Sequence, residues 1–233
     1  MSKYHVLVVD DDIDILGAIE IYLKSEGIAV STARNGQEAL ELLKEKEVHL
    51  VILDVMMPLM DGIQATFKIR EQLNVPILML SAKTEDNDKI IGLNVGADDY
   101  MTKPFNPLEL IARVKSQLRR YTNLGRFSAE DNEGEKLCVR GLTLDRTTKE
   151  VTVEGEDVRL TPTEYKILEL LMLHKGRVFS IDEIYEKVWK DAAFNADNAV
   201  AVHIRRIREK IEINAKDPKY IKVVWGIGYK MEK

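Results

Sequence analysis

The chain has 233 residues, 45% hydrophobic and 31% charged, with a net charge of −5. That is a globular composition with apolar material for one large domain or two ordinary ones, and no apolar run approaches the roughly 18 residues of a membrane span. The lone Cys138 excludes an internal disulfide, and four histidines without a Cys pair make a zinc site unexpected.

Met1 to Tyr4 lead straight into a strand pattern with no signal-peptide h-region, so the expected location is cytoplasmic. Residues 1–121 alternate strand and helix signals. Strands are predicted near 4–9, 28–33, 48–53, 76–80 and 98–101, and helices near 13–25, 36–46, 62–73, 84–95 and 106–120. Gly27, Gly36, Gly62, Gly96 and Pro76 fall at the joins. Strict alternation of this kind predicts a parallel sheet with helices on both faces. Residues 122–136 are polar and Gly-containing and read as a flexible linker.

From 137 to 233 the pattern changes. Short alternating segments at 142–144, 150–153 and 157–160 suggest a small antiparallel sheet. Thr161-Pro162-Thr163-Glu164 starts a helix running to about His174, and Ser180-Ile181-Asp182-Glu183 is a capping box for a second helix, to about Trp189. A third helix is expected from about Asp197 to Ile213, then a hairpin over 223–230. Charge is unevenly shared. Residues 1–121 hold 14 basic and 19 acidic residues, whereas the stretch from His203 to the end holds 9 basic and 4 acidic, so an acidic overall balance does not argue against nucleic acid.

Chemistry gathers at the carboxyl ends of the first-half strands, where open α/β sheets place their sites. One strand ends in Asp10, Asp11 and Asp12, and another in Asp54. Acids brought together there would repel one another unless a hard cation such as Mg²⁺ or another positive group joined them. Ser81 ends the next strand, and Lys103-Pro104 follows the last. A hydroxyl and an ammonium beside acids and a divalent ion are complementary to a phosphoryl group. A cis peptide at Pro104 would point the lysine inward. Asp12 and Asp14 fit the start of the first helix, where the dipole favours acids.

In this order, Asp10-Asp11, Asp54, Ser81, Tyr100 and Lys103-Pro104-Phe105 resemble the landmarks of a two-component receiver domain. Leu160-Thr161-Pro162-Thr163-Glu164-Tyr165, Val202-His203-Ile204-Arg205-Arg206-Ile207-Arg208 and Gly226-Ile227-Gly228-Tyr229 resemble the winged-helix effector of the OmpR/PhoB response regulators. The ending is similar to that of VanR-type members. The resemblance implies a doubly wound, five-stranded flavodoxin-like receiver joined to an α+β winged helix-turn-helix domain. It implies that Asp54 is the phosphoacceptor, with Mg²⁺ held by Asp11, Asp54 and the Met56 backbone carbonyl and assisted by Asp10. Ser81 and Lys103 would contact the phosphoryl oxygens, and Tyr100 would be the switch aromatic.

The resemblance further implies a homodimer formed on phosphorylation, pairing Lys89 with Glu109, Asp99 with Arg113, and Asp98 with Arg120. Glu109 and Arg113 are also spaced to pair within one helix. The implied partners are a sensor histidine kinase, double-stranded DNA and RNA polymerase, with no membrane and no turnover beyond the receiver's own phosphoryl transfer and slow dephosphorylation.

On the third helix, Val200, Ile204, Ile207 and Ile211 form one face for the core. His203, Arg206 and Lys210 form another and are expected in the major groove, with Arg206 reading bases and Arg205 and Arg208 on phosphates. Trp225 and Tyr229, on the wing, complete the expected DNA-binding set, with Trp225 either stacking on sugar or packing inward. Asn198, Ala199 and Ala201 depart from the subfamily's polar pattern and put phosphate contacts there in doubt. Two other readings compete. A haloacid-dehalogenase-type phosphohydrolase would need Asp-x-Asp-x-Thr after the first strand, and Asp10-Asp11-Asp12-Ile13-Asp14 lacks the threonine. A constitutive DNA binder with a vestigial receiver is at odds with the complete acidic set.

Overall fold

The protein is described by a computed structural model for residues 3–82, 95–123, 136–189 and 196–233. The helix expected near 84–95 and most of the expected linker lie outside the described residues. The chain divides into two compact units, Met1–Tyr121 and Thr122–Lys233.

In the first unit, β1 (His5–Val9), β2 (Ala29–Ala33), β3 (Leu50–Asp54), β4 (Ile77–Ser81) and β5 (Asp99–Thr102) form a parallel sheet in the order β2-β1-β3-β4-β5. Every residue of β3 and β4 is buried. That is the mark of strands covered on both faces, and it explains their unbroken apolar runs. Each Leu, Ile or Val so buried contributes roughly 1.5–3 kcal/mol to the core. Helices α1 (Ile13–Ser25), α2 (Gly36–Glu45), α3 (Gly62–Gln72) and α4 (Pro107–Asn123) join these strands. Side-chain oxygens of Asp12, Asn35 and Asp61 accept from the first free N–H groups of α1, α2 and α3, which fixes where each begins. Leu110, Val114 and Leu118 of α4, spaced by four, pack into the core with Ile19 and Leu23 of α1.

The strand order reverses between β1 and β3, opening a crevice at their carboxyl ends. Val9 is level with Leu53, and Asp54 with Leu80. The next residues, Asp10 and Ser81, therefore flank Asp54. Ser81 is level with Thr102, which delivers Lys103 to the same edge.

The second unit starts with a four-stranded antiparallel sheet of β6 (Lys136–Val139), β7 (Leu142–Asp145), β8 (Val151–Val153) and β9 (Glu156–Asp157). The sequence reading missed β6, whose first residue lies inside the expected linker. It also extended the last strand to Leu160, where there is none. Both segments are short and their alternation is weak. Helices α5 (Pro162–Leu173), α6 (Ile181–Trp189) and α7 (Ala196–Ile211) follow, then the hairpin β10 (Ile221–Val224) and β11 (Gly228–Met231). The expected capping box of Ser180 with Glu183 forms, and the start signal at Thr161 proves to be a second one, with Glu164. Phe179 bridges to Tyr229 and ties the α5–α6 connection to the hairpin. Gly226 turns the hairpin at φ +73°, a conformation that suits glycine.

Candidate functional site

Asp10 and Asp54 are buried and Asp11 is exposed, and one carboxylate oxygen from each lies within 4.8 Å of the others. Lys103 reaches in from beyond β5, its Nζ donating to Asp10 Oδ2 at 2.6 Å and lying 2.7 Å from Asp54 Oδ1. The Lys103–Pro104 peptide is cis. The Met56 amide donates to Asp54 Oδ2 at 2.9 Å, so the acid's backbone loop and its side chain hold each other in place. Burial pushes the Asp54 carboxyl above its ordinary range. The hydrogen bond and charge of Lys103 oppose that rise, and the Asp10 charge adds to it. Burial also works against the Lys103 ammonium, but its hydrogen bonds to Asp10 and Asp54 prevail and hold it above the usual lysine value. Three carboxylates against one ammonium leave the cluster an oxygen-rich site with excess negative charge. That donor set fits Mg²⁺, a hard cation that takes carboxylate oxygens and retains water.

Gly62, which the sequence reading placed only as a joint, is part of this architecture. A Cβ there would collide with the Asp54 carbonyl oxygen, and the Gly62 amide donates to Val55 at 3.0 Å. The close approach of α3 to the end of β3 requires a residue without a side chain.

In the second unit, α7 packs on α5 and α6. His203 is fully buried, its ring 5.6 Å from that of Trp189, which stacks on Tyr185 at 4.8 Å. Arg206 is buried with its Nη2 2.9 Å from Glu164 Oε1, close enough for an ion pair but without hydrogen-bond alignment. Lys210 donates to Glu164 Oε2 at 2.6 Å. Arg205 is exposed, pairing with Glu209.

Two family models match: the response regulator receiver domain over residues 6–115, and the C-terminal domain of transcriptional regulatory proteins over 155–231. The chain is 45% identical over 230 residues to the regulatory protein VanR of Enterococcus faecium, with 98% of each covered. It is 41% identical over 232 residues to the alkaline phosphatase synthesis transcriptional regulatory protein PhoP of Bacillus subtilis, covering 98% of this chain and 96% of that one. The crystal structure of DrrB, a Thermotoga maritima OmpR/PhoB homologue, aligns over 99% of both chains with 32% identity and a TM-score of 0.51. The chain belongs to the response regulators of the OmpR/PhoB type. It is a two-component transcription regulator made of a receiver and a DNA-binding domain.

Within this response regulator, two of the three α7 residues expected in the groove, His203 and Arg206, are buried, whereas Lys210 is exposed. At about 100° per residue, His203, Arg206 and Lys210 stand beside the Val200, Ile204, Ile207 and Ile211 stripe. Together they span an arc of roughly 160°, buried against α5 and α6 except at Lys210. The outward face carries Ala201, Arg205, Arg208 and Glu209 instead. Arg208 donates through two guanidinium nitrogens to the Ile221 carbonyl at 3.1 and 2.7 Å and lies 5.7 Å from the Tyr229 ring, tying α7 to the wing. Tyr229 is half-buried. Trp225 is 88% exposed at the hairpin turn. Ala199 is buried, and the Asn198 side chain lies outside the described residues.

The expected dimer residues also differ in placement. Asp98 is fully buried, accepting from Arg70 Nη2 at 2.7 Å and from the Ile77 amide at 3.0 Å. Arg120 is buried, with Nη1 donating to Ser116 Oγ at 3.1 Å. Asp98 and Arg120, expected to pair between copies, each have a partner within the single chain. Asp98 serves as the partner of Arg70, which also donates to the carbonyls of Gly96 and Val75 and staples α3 to β4 and β5. Arg113 pairs within the chain, to both Asp99 oxygens at 3.0 Å and to Glu109. Lys89 lies outside the described residues. Ser81 is buried at the end of β4, and Tyr100 is half-buried in β5.

In the sequence Glu164 stands out only as an acid early in its helix. Burial pushes its carboxyl up, but the charges of Arg206 and Lys210 and its hydrogen bonds prevail and hold it below the usual glutamate value. A depressed folded-state value means stability that is complete above the unfolded value of about 4.3 and is lost as pH falls through the folded one. The urea stability gap between the parent and Glu164→Gln is expected to be open at neutral pH and to close below about pH 4. A gap independent of pH would remove the ionised carboxylate as its source.

Proposed function

We propose that Asp54 takes a phosphoryl group from the phosphohistidine of a sensor histidine kinase, and that this raises sequence-specific DNA binding by the second unit. The observation that carries the reading is the convergence of Asp10, Asp11, Asp54 and Lys103 at one sheet edge, in a chain that also carries a DNA-binding domain. An Asp54 carboxylate oxygen forms the new bond to phosphorus while the P–N bond breaks, its electron pair leaving with the imidazole nitrogen. Asp11, Asp54 and the Met56 carbonyl, assisted by Asp10, would hold Mg²⁺, which would supply neutralisation of the charge that builds on the transferred group. Lys103 stays within reach of Asp54 to bind one of that group's oxygens, and Ser81 lies one register step away to bind another. Tyr100, on the neighbouring strand, follows Ser81 as the switch aromatic.

In this reading the receiver, 1–121, is joined to the effector, 137–233, by a linker over 122–136. The phosphorylated form dimerises through Lys89, Glu109, Asp99 and Arg113. The intrachain Arg113 pairs are those that exchange. Arg205 serves DNA from the outward face of α7, and the exposed Trp225 serves it from the wing, with RNA polymerase as a further partner. The chain works in the cytoplasm and dephosphorylates slowly without turning over a substrate. No helix among the described residues is long and apolar enough to cross a membrane.

Acetyl phosphate with Mg²⁺ is expected to add one phosphoryl group per chain, measured by intact mass, and to tighten binding to DNA. Chelation by EDTA is expected to prevent both. Uptake that survives chelation would reject the metal-assisted site.

A further inference from the structure

Lys210 and Arg206 are two of the four cationic side chains of α7, yet both are turned onto one carboxylate. Glu164 is fully buried, and its Oε2 also accepts from the Thr161 amide at 2.9 Å, closing the capping box that starts α5. The carboxylate therefore has no freedom of its own. The helix start fixes it, and it in turn fixes two positions a turn apart on α7. A buried carboxylate without partners would cost several kcal/mol, so the cations are held strongly. Arg206 is almost fully buried, while Lys210 retains a third of its side-chain exposure. The ammonium is near enough to solvent to reach a phosphate if it were released.

We propose that Glu164 sets the ratio of specific to non-specific DNA binding: it orients α7 and withholds Lys210 and Arg206 from the phosphate backbone. The inference rests on the reading that the outward face of α7, with Arg205, meets DNA. Each cation that neutralises a phosphate adds about 0.9 to the slope of log K against log salt and strengthens binding to every sequence alike. A cation kept on Glu164 adds nothing to that background. Glu164 is a positioning residue, acting through the helix and touching no base.

The test uses the full-length chain. Non-specific binding is measured as salt slope on a random-sequence duplex, and discrimination as enrichment from a randomised duplex pool. Lys210→Gln is expected to leave the salt slope of the parent unchanged. Glu164→Gln, whose amide oxygen can still accept from the Thr161 amide, is expected to steepen the slope by about one unit and reduce enrichment several-fold. Adding Lys210→Gln to Glu164→Gln is expected to remove the extra slope.

A slope flattened by about one unit in the single Lys210→Gln chain would place that lysine on a phosphate and overturn the proposal, whether or not Glu164→Gln folds. Unchanged slope and enrichment in a folded Glu164→Gln chain would reduce Glu164 to a structural cap. Arg205→Ala separates the two levels of the argument. If it enriches the same sequences as strongly as the parent, the outward-face reading falls and this inference falls with it. If it loses enrichment while Glu164→Gln does not, only the role of Glu164 is lost.

Discussion

Asp54→Asn is expected to abolish phosphoryl uptake from acetyl phosphate completely, because the amide removes the nucleophilic oxygen pair while keeping its shape. The protein should not lose stability with it. Asp54 is buried, faces Asp10, and is held above the ordinary carboxylate range. For an acid whose folded-state value is raised, the unfolded chain ionises first, so stability falls as pH rises from the unfolded value to the folded one. Without metal at neutral pH, the Asn chain is therefore expected to resist urea at least as well as the parent. Stabilisation by added Mg²⁺ should shrink, since one of three clustered carboxylates is gone. Intact mass and urea titrations with and without Mg²⁺ check both parts. Phosphoryl mass on the Asn chain would move the acceptor away from Asp54. A marked loss of metal-free stability would contradict the electrostatic account of the pocket.

Trp189→Ala should have the largest effect in the second unit. Trp189 is 2% exposed, stacked on Tyr185 within α6 and against His203 of α7. Removing a buried aromatic of this size costs about 3–5 kcal/mol, where a whole domain has only about 5–15 kcal/mol. DNA binding at 37 °C is expected to fall sharply, and phosphoryl uptake at Asp54 to persist, since Tyr185 and His203, the rings it packs against, both belong to the second unit. Urea unfolding followed by far-UV circular dichroism is a direct measure, and a loss below about 1 kcal/mol would show that the ring is not part of the core.

The acidic site was readable because its parts are local. A parallel strand buried on both faces shows as a short apolar run, and the polar residue that ends it marks a sheet edge. Asp10, Asp54, Ser81 and Lys103 each follow such a run, and the strand register sets them side by side. The helix starts at Asp12, Thr161 and Ser180 were readable for the same reason, because a cap and its amides are neighbours in the chain. Gly62 carried a signal only as a joint, because the carbonyl it must avoid belongs to Asp54, eight residues away.

The α7 face could not be settled in that way. Periodicity separates the stripe of Val200, Ile204, Ile207 and Ile211 from that of His203, Arg206 and Lys210, but it cannot say that His203 and Arg206 are buried as well. That depends on a carboxylate 42 residues before Arg206, buried by the packing of α5, and on the ring of Trp189 covering His203. Arg70 pairs with Asp98 in the same manner, across 28 residues. Local patterns marked the strands and the residues that end them, and the sheet register gathered those residues into the acidic pocket. The ion pairs between residues far apart in the chain decided which cations are committed to the core and which still face solvent.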